Sequence, residues 1–168
     1  IENGTTLKGT IPSDVTLTAG STYKLSGEYI VEDGATLNIE AGVKIISIYD
    51  DIVDYILVKQ GGKINAVGTS SAPIVMTSEK EEPGAWGGIH ICGKAHTNAE
   101  GGKGSSEIGG ATYGGNDDAD NSGTLKYVRV EYSGYAFDSE HEANGITFYG
   151  VGNGTTVEYC QAYKLSLI

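Results

Sequence analysis

The stretch Tyr55-Ile-Leu-Val-Lys-Gln-Gly-Gly-Lys-Ile-Asn-Ala-Val-Gly-Thr-Ser-Ser-Ala-Pro-Ile-Val-Met-Thr-Ser78 decides the fold. It holds three short apolar segments, Ile56–Val58, Ile64–Val67 and Ile74–Met76. Gly-Gly separates the first two, and a Gly-Thr-Ser-Ser-Ala-Pro corner separates the last two. Short β-type runs broken by tight-turn residues read as strands joined by corners. A chain that alternates strand and corner in this way winds a β-solenoid.

The pattern recurs on both sides. Gly34-Ala-Thr-Leu-Asn-Ile-Glu-Ala-Gly42 matches Gly61-Gly-Lys-Ile-Asn-Ala-Val-Gly68 at an offset of 27 residues (61 − 34), and Gly154-Thr-Thr-Val-Glu-Tyr-Cys160 repeats the form. A second strand type links Ile56-Leu-Val58, Ile89-His-Ile91 and Ile146-Thr-Phe148. Repeats in this size range mean stacked units, each unable to bury its own apolar face alone. The expected fold is all-β, a parallel β-helix formed as one domain over residues 1–168. Alternation in Lys126-Tyr-Val-Arg-Val-Glu-Tyr132 sends Val128 and Val130 inward and Tyr127, Arg129 and Glu131 outward.

Composition agrees. Gly is 26 of 168 residues, about twice the usual share, while Pro is only 3, which favours tight turns over a disordered linker. Residues 1–25 alternate loosely and are expected to cap the N-terminal end. Residues 94–123 are rich in Gly, Ser, Asp and Asn and break the repeat, as expected of one long loop thrown out from a corner. Tyr49–Asp54 and Asp138–Asn144 are shorter acidic excursions.

The net charge of −11 excludes nucleic acid as a partner, because phosphate binding needs Lys and Arg clusters. Arg129 is the single arginine. No run approaches the ~20 apolar residues of a membrane span. No signal peptide is visible, and Ile1 reads as the start of a trimmed chain. Cys92 and Cys160 each close an apolar strand pattern and are expected as buried free thiols; a disulfide requires that their strands be neighbours.

Several motifs together resemble a known family. They are Gly34–Gly42, Gly62–Thr69, Pro73–Ser78, Trp86-Gly-Gly-Ile89, Tyr113-Gly-Gly-Asn116, Asp120–Leu125, Tyr127–Tyr132 and Gly150–Thr155. The set is similar to secreted or lipid-anchored β-helix proteins of Bacteroides-type bacteria, over about residues 25–163. The resemblance implies a right-handed parallel β-helix and an exported, cell-surface location, and it brings no established activity. Members continue with a further acidic, glycine- and aromatic-rich coil. Lys164-Leu-Ser-Leu-Ile168 departs from that pattern, so the chain reads as a truncated member with an open last coil able to self-associate.

Pectin-active enzymes share this fold class. Their lyases need clustered carboxylates for Ca²⁺ and a Lys or Arg base; their hydrolases need paired carboxylates. The sequence lacks Asn-Thr-Asp, Gly-His-Gly and Arg-Ile-Lys. A non-catalytic module that binds polysaccharide or a cell-surface partner, or serves as an envelope scaffold, is therefore the expectation. A pectate-lyase-like fragment is the alternative. Asp118-Ala-Asp-Asn-Ser-Gly123 opens like a Ca²⁺ loop, yet Arg129 stands where an EF-hand needs Glu. A looser Ca²⁺ site on Asp117, Asp118 and Asp120 competes with a polar turn. His90 alternates with Ile89 and Ile91 and is expected to face solvent; Trp86 is expected to plug a corner. Outward Tyr127, Tyr149, Tyr159 and Tyr163, beside Arg129 and Glu131, form the candidate ligand surface. Aromatic rings next to polar groups suit sugars, and strand propensity explains outward Tyr equally well.

Overall fold

The computed structural model describes residues 1–166. Strand β1 (Thr6–Ile11) stacks on β3 from the coil before it, and β2 (Val15–Leu17) and β3 (Thr22–Val31) wind the first complete coil. β4 (Thr36–Ile39), β5 (Lys44–Ser47) and β6 (Tyr55–Val58) wind the second. β7 (Lys63–Val67), β8 (Ile74–Ser78) and β9 (Ile89–Cys92) wind the third. An excursion carrying a two-stranded hairpin, β10 (Gly104–Ser105) and β11 (Thr112–Tyr113), follows. β12 (Gly123–Lys126), β13 (Val128–Glu131) and β14 (Ile146–Tyr149) make the fourth coil, and β15 (Thr156–Glu158) and β16 (Gln161–Tyr163) lead into the next.

Every ladder between coils is parallel, and the architecture is a right-handed parallel β-helix with three faces. Face one stacks the end of β3 on β6, β9 and β14. Face two runs β2–β4–β7–β12–β15. Face three stacks the start of β3 on β5, β8, β13 and β16. β3 serves two faces because it turns the corner within one strand, at Gly27, whose φ of +69° favours glycine. The register reproduces the sequence repeat: Leu37 pairs with Ile64, 27 residues on (64 − 37). Ile64 pairs with Gly123, 59 residues on (123 − 64), because the excursion lies between them. A Cβ at Gly123 would collide with the Ile64 carbonyl oxygen.

Inward residues form continuous stacks. Tyr23, Ile45, Met76 and Val130 share one, and all four are 0% exposed. Val31, Val58 and Ile91 share another, ending at Phe148. Stacking coils at the ~4.8 Å strand spacing buries each inward chain against the next, about 1.5–3 kcal/mol per large residue. Val128 and Val130 point inward as expected.

Three expectations change. Residues 1–25 already belong to the winding, since β1 and β2 pair in parallel with β3 and β4. Only the first residues cover the end: Tyr23 donates its hydroxyl to the Ile1 carbonyl at 3.0 Å. Lys126–Tyr132 is not one strand. Tyr127 has φ +50° and turns the chain from face two to face three. His90 points away from the coil yet is 0% exposed, because the excursion after β9 folds over face one and covers it. The two last residues of the expected open end, Leu167 and Ile168, lie outside the described residues.

Candidate functional site

The corner from face three to face one lengthens from coil to coil. It takes two residues, Ser26-Gly27, inside β3. It then takes residues 48–54, 79–88 and 132–145 between the strands of later coils. The coils are in register, so the three insertions stack on one edge of the solenoid. The innermost is anchored by Asp54, which is 1% exposed and accepts from Ser47 Oγ at 2.6 Å and the Gly27 N–H at 2.5 Å. Burial pushes its carboxyl above the ordinary range, opposed by these hydrogen bonds. Trp86, 1% exposed, plugs the next corner as expected and donates Nε1–H to the Glu131 carbonyl at 2.6 Å.

Between the insertions lies a cleft of about 330 Å³. Its walls carry Tyr49, Asp50, Asp51, Lys80, Glu82 and Tyr135. Lys80 crosses the mouth. Its ammonium donates to Tyr49 Oη at 3.1 Å, sits 4.5 Å from the centre of that ring and pairs with Glu82 at 3.2 Å. The Tyr49 hydroxyl first, and Glu82 after it, hold the ammonium above its ordinary pKa. Asp50 is spent on its own turn, accepting from the Ile52 N–H at 2.8 Å. Asp51 and Glu82 leave the cleft acidic. Aromatic rings beside acceptor carboxylates can pack a sugar ring and accept its hydroxyls. Two of the three insertions were visible in sequence as acidic excursions. Their convergence on one edge appears only in the stacked coils, where each follows a face-three strand.

The residues singled out from sequence divide. Tyr127, Arg129, Glu131, Tyr159 and Tyr163 do come together, on face three and the corner before it. Their rings are stacked along the solenoid axis instead of lying flat to solvent. Tyr127 and Tyr159 stack at 4.7 Å and 12°. The Arg129 guanidinium lies 4.1 Å from the Tyr163 ring centre, and it binds Glu131 at 2.8 Å and Gln161 at 3.2 Å. The faces a sugar would need are therefore largely occupied by neighbours. The outer side of Tyr159, 69% exposed, is open.

Tyr149 is corrected: it points outward but is buried on face one beneath Ile108, Ala111 and Tyr113. His90 Nδ1 lies 2.9 Å from its hydroxyl, and burial pushes the Tyr149 pKa up to about 12. The Ca²⁺ reading is corrected as well. Asp118 accepts from the backbone N–H and Nδ1 of His96 at 2.9 and 2.8 Å. Asp120 accepts from the Lys94 N–H at 3.1 Å, and Asp117 from the Ala119 N–H at 3.2 Å. The three carboxylates tie the excursion together instead of converging, and no group of three acidic, His or Cys side chains placed to hold a metal occurs among the described residues. Cys92 and Cys160 are both free, on separate faces of the coil.

No curated protein and no solved structure matches the chain. The family described as pectate-lyase like beta helix domain matches residues 9–166, nearly the whole winding from β1 through β16. With three-faced parallel coils over that span, the chain belongs to the pectate-lyase-like β-helix domain family.

Proposed function

We propose that this domain is an exported, non-catalytic β-helix module that binds a neutral glycan in the corner cleft. The observation that carries this reading is the cleft itself, where Tyr49 and Tyr135 stand beside Asp51 and Glu82 between stacked insertions. A polyanion such as pectate is disfavoured there, because Lys80 is the single cation on the walls and the chain carries −11. The export address rests on the motif set shared with secreted and lipid-anchored β-helix proteins of Bacteroides-type bacteria.

A glycan array with the intact chain tests the reading. Neutral oligosaccharides should bind, and Tyr49→Ala and Tyr135→Ala should each weaken binding about tenfold or more, a loss of roughly 1.4 kcal/mol. Unchanged binding in both variants overturns the cleft as the site. If instead Tyr159→Ala alone abolishes binding, the ligand sits on the open face of the Tyr127–Tyr159 ladder, a reading favoured by the exposure of Tyr159. Family membership favours one further alternative, a pectate-lyase-like activity. Formation of unsaturated products from polygalacturonate in the presence of Ca²⁺ would establish it and refute the non-catalytic reading.

A further inference from the structure

A second cleft, of about 610 Å³, lies on the same edge toward the N-terminal end. Its floor is Gly9, Ser26 and Gly27, and its walls include Glu28, Tyr55 and Phe137. Asp51, Ile52 and Val53 line both clefts and form the ridge between them. The reason is the staircase of corner lengths. The corner inside β3 is only two residues, Ser26-Gly27, while Phe137 from the 132–145 insertion lines the same cleft as Gly27. The φ of +69° at Gly27 disfavours a side chain there, while an added Cβ would meet Ile52 Cγ2 only at an ordinary 3.5 Å contact.

The rings also continue across the ridge. Tyr135 lines the first cleft and Phe137 the second, and they meet edge to face with centroids 5.0 Å apart. Ile52 on the ridge is 60% exposed and Phe137 is 44% exposed. Together with Tyr135 they make a contiguous apolar strip along the groove, the kind of surface a ligand packs against.

We propose that the second cleft is a further subsite of one groove, so that the ligand is an extended neutral oligosaccharide crossing the Ile52 ridge. This rests on the glycan reading of the first cleft. A chain-like occupant is required because the Asp51–Val53 ridge divides the groove into two pockets. An anionic chain is disfavoured because Glu28, Asp51 and Glu82 line the groove against Lys80 alone, and hydroxyl-rich neutral sugars can donate to those carboxylates. The sugar faces would pack on Tyr135 and Phe137, and hydroxyls would donate to Asp51 and Glu28. Glu28 already accepts from the Tyr55 hydroxyl at 2.8 Å, which fixes its carboxylate on the groove wall.

Calorimetric titration with neutral β-1,4-linked gluco-, xylo- and manno-oligosaccharides of two and six units tests this. The six-unit probe of the preferred sugar should bind at least tenfold tighter than its two-unit probe. Phe137→Ala should erase that advantage, bringing six-unit affinity to within about twofold of the variant's own two-unit affinity. Ile52→Ala, at an exposed position, should reduce it with no change in thermal stability. Length-independent binding that ignores Phe137 overturns the second subsite while the first-cleft reading stands. Absence of binding by every probe overturns both. Capture of a basic peptide across Phe137 and Ile52, with no oligosaccharide bound, replaces the glycan with a protein partner and also refutes the proposal.

Discussion

Asp54 carries more of the corner than its size implies. It is a fully enclosed carboxylate whose two oxygens accept from two different coils, Gly27 N–H below and Ser47 Oγ beside it. Asp54→Ala would leave both donors buried without a partner, at a cost of about 1–3 kcal/mol. Asp54→Asn keeps an acceptor for Gly27 and should cost less. Chemical denaturation of the two variants against the parent checks the order. His90 makes a second residue-scale prediction. Its Nε2 lies 2.8 Å from the Gly87 carbonyl, so Nε2–H donates there and Nδ1 accepts from the Tyr149 hydroxyl. That pairing satisfies a neutral ring, and burial lowers its pKa below the ordinary 6.5. The unfolded chain then takes up the proton first. His90 contributes full stability above pH 6.5, and the contribution is lost as pH falls from 6.5 through the depressed folded value. His141 moves the other way, since Asp138 raises it. The comparison must therefore be made against His90→Gln, whose melting temperature should fall less between pH 7 and 5 than the parent's.

Among the elements, the excursion after β9 differs from an ordinary loop because its neck is closed. Gly114 N–H donates to the Gly93 carbonyl at 2.9 Å, and Asp117 N–H to the Lys94 carbonyl at 2.9 Å. Gln60, from the turn before β7, donates through Nε2 to the carbonyls of Gly93 and Gly114 at 2.7 and 2.8 Å. It is a closed-neck loop packed by its own side chains and carrying the β10–β11 hairpin. Ile108, 3% exposed, is the apolar group that seats it on Leu57, Cys92 and Tyr149. Burial there pushes the Cys92 thiol pKa up to about 11. Ile108→Ala should destabilise the protein by about 2–5 kcal/mol, and it should open residues 96–113 to limited proteolysis before the coils are cut. Cys92 should become reactive to a thiol reagent over the same range. The Tyr127–Tyr159 ladder is the other informative element. Tyr159→Ala should cost about 0.5–1.5 kcal/mol for the lost ring pair, read as a small drop in melting temperature.

At the scale of the molecule, the two ends of the described winding are unlike. At one, the hydroxyl of Tyr23 and the Ile1 backbone close the coil. At the other, side chains that continue the inward stacks meet solvent: Phe148 is 37% and Val157 44% exposed. β14, β15 and β16 each end their ladder among the described residues.

The winding was legible in the chain because its signals are local. Glycine-led strands recur at 27 residues, and inward positions alternate with outward ones, so a register error would turn every apolar group to water. The same alternation separated Val128 and Val130 from their neighbours. What alternation cannot tell is what lies beyond an outward side chain. His90 and Tyr149 point outward as read, but a segment distant in sequence covers them, so solvent exposure was misjudged at both. Tyr127 was misplaced because one left-handed residue splits an apparently continuous strand. The corner cleft follows from the same limit. Its pieces, residues 49–53, 80–85 and 135–137, are far apart in the chain and ordinary taken singly. Only stacking in register brings them onto one edge, since cleft shape depends on how far each insertion overhangs the coil below it. Fold class and core thus follow from short-range pattern, while the site arises from distances between coils that no local pattern encodes.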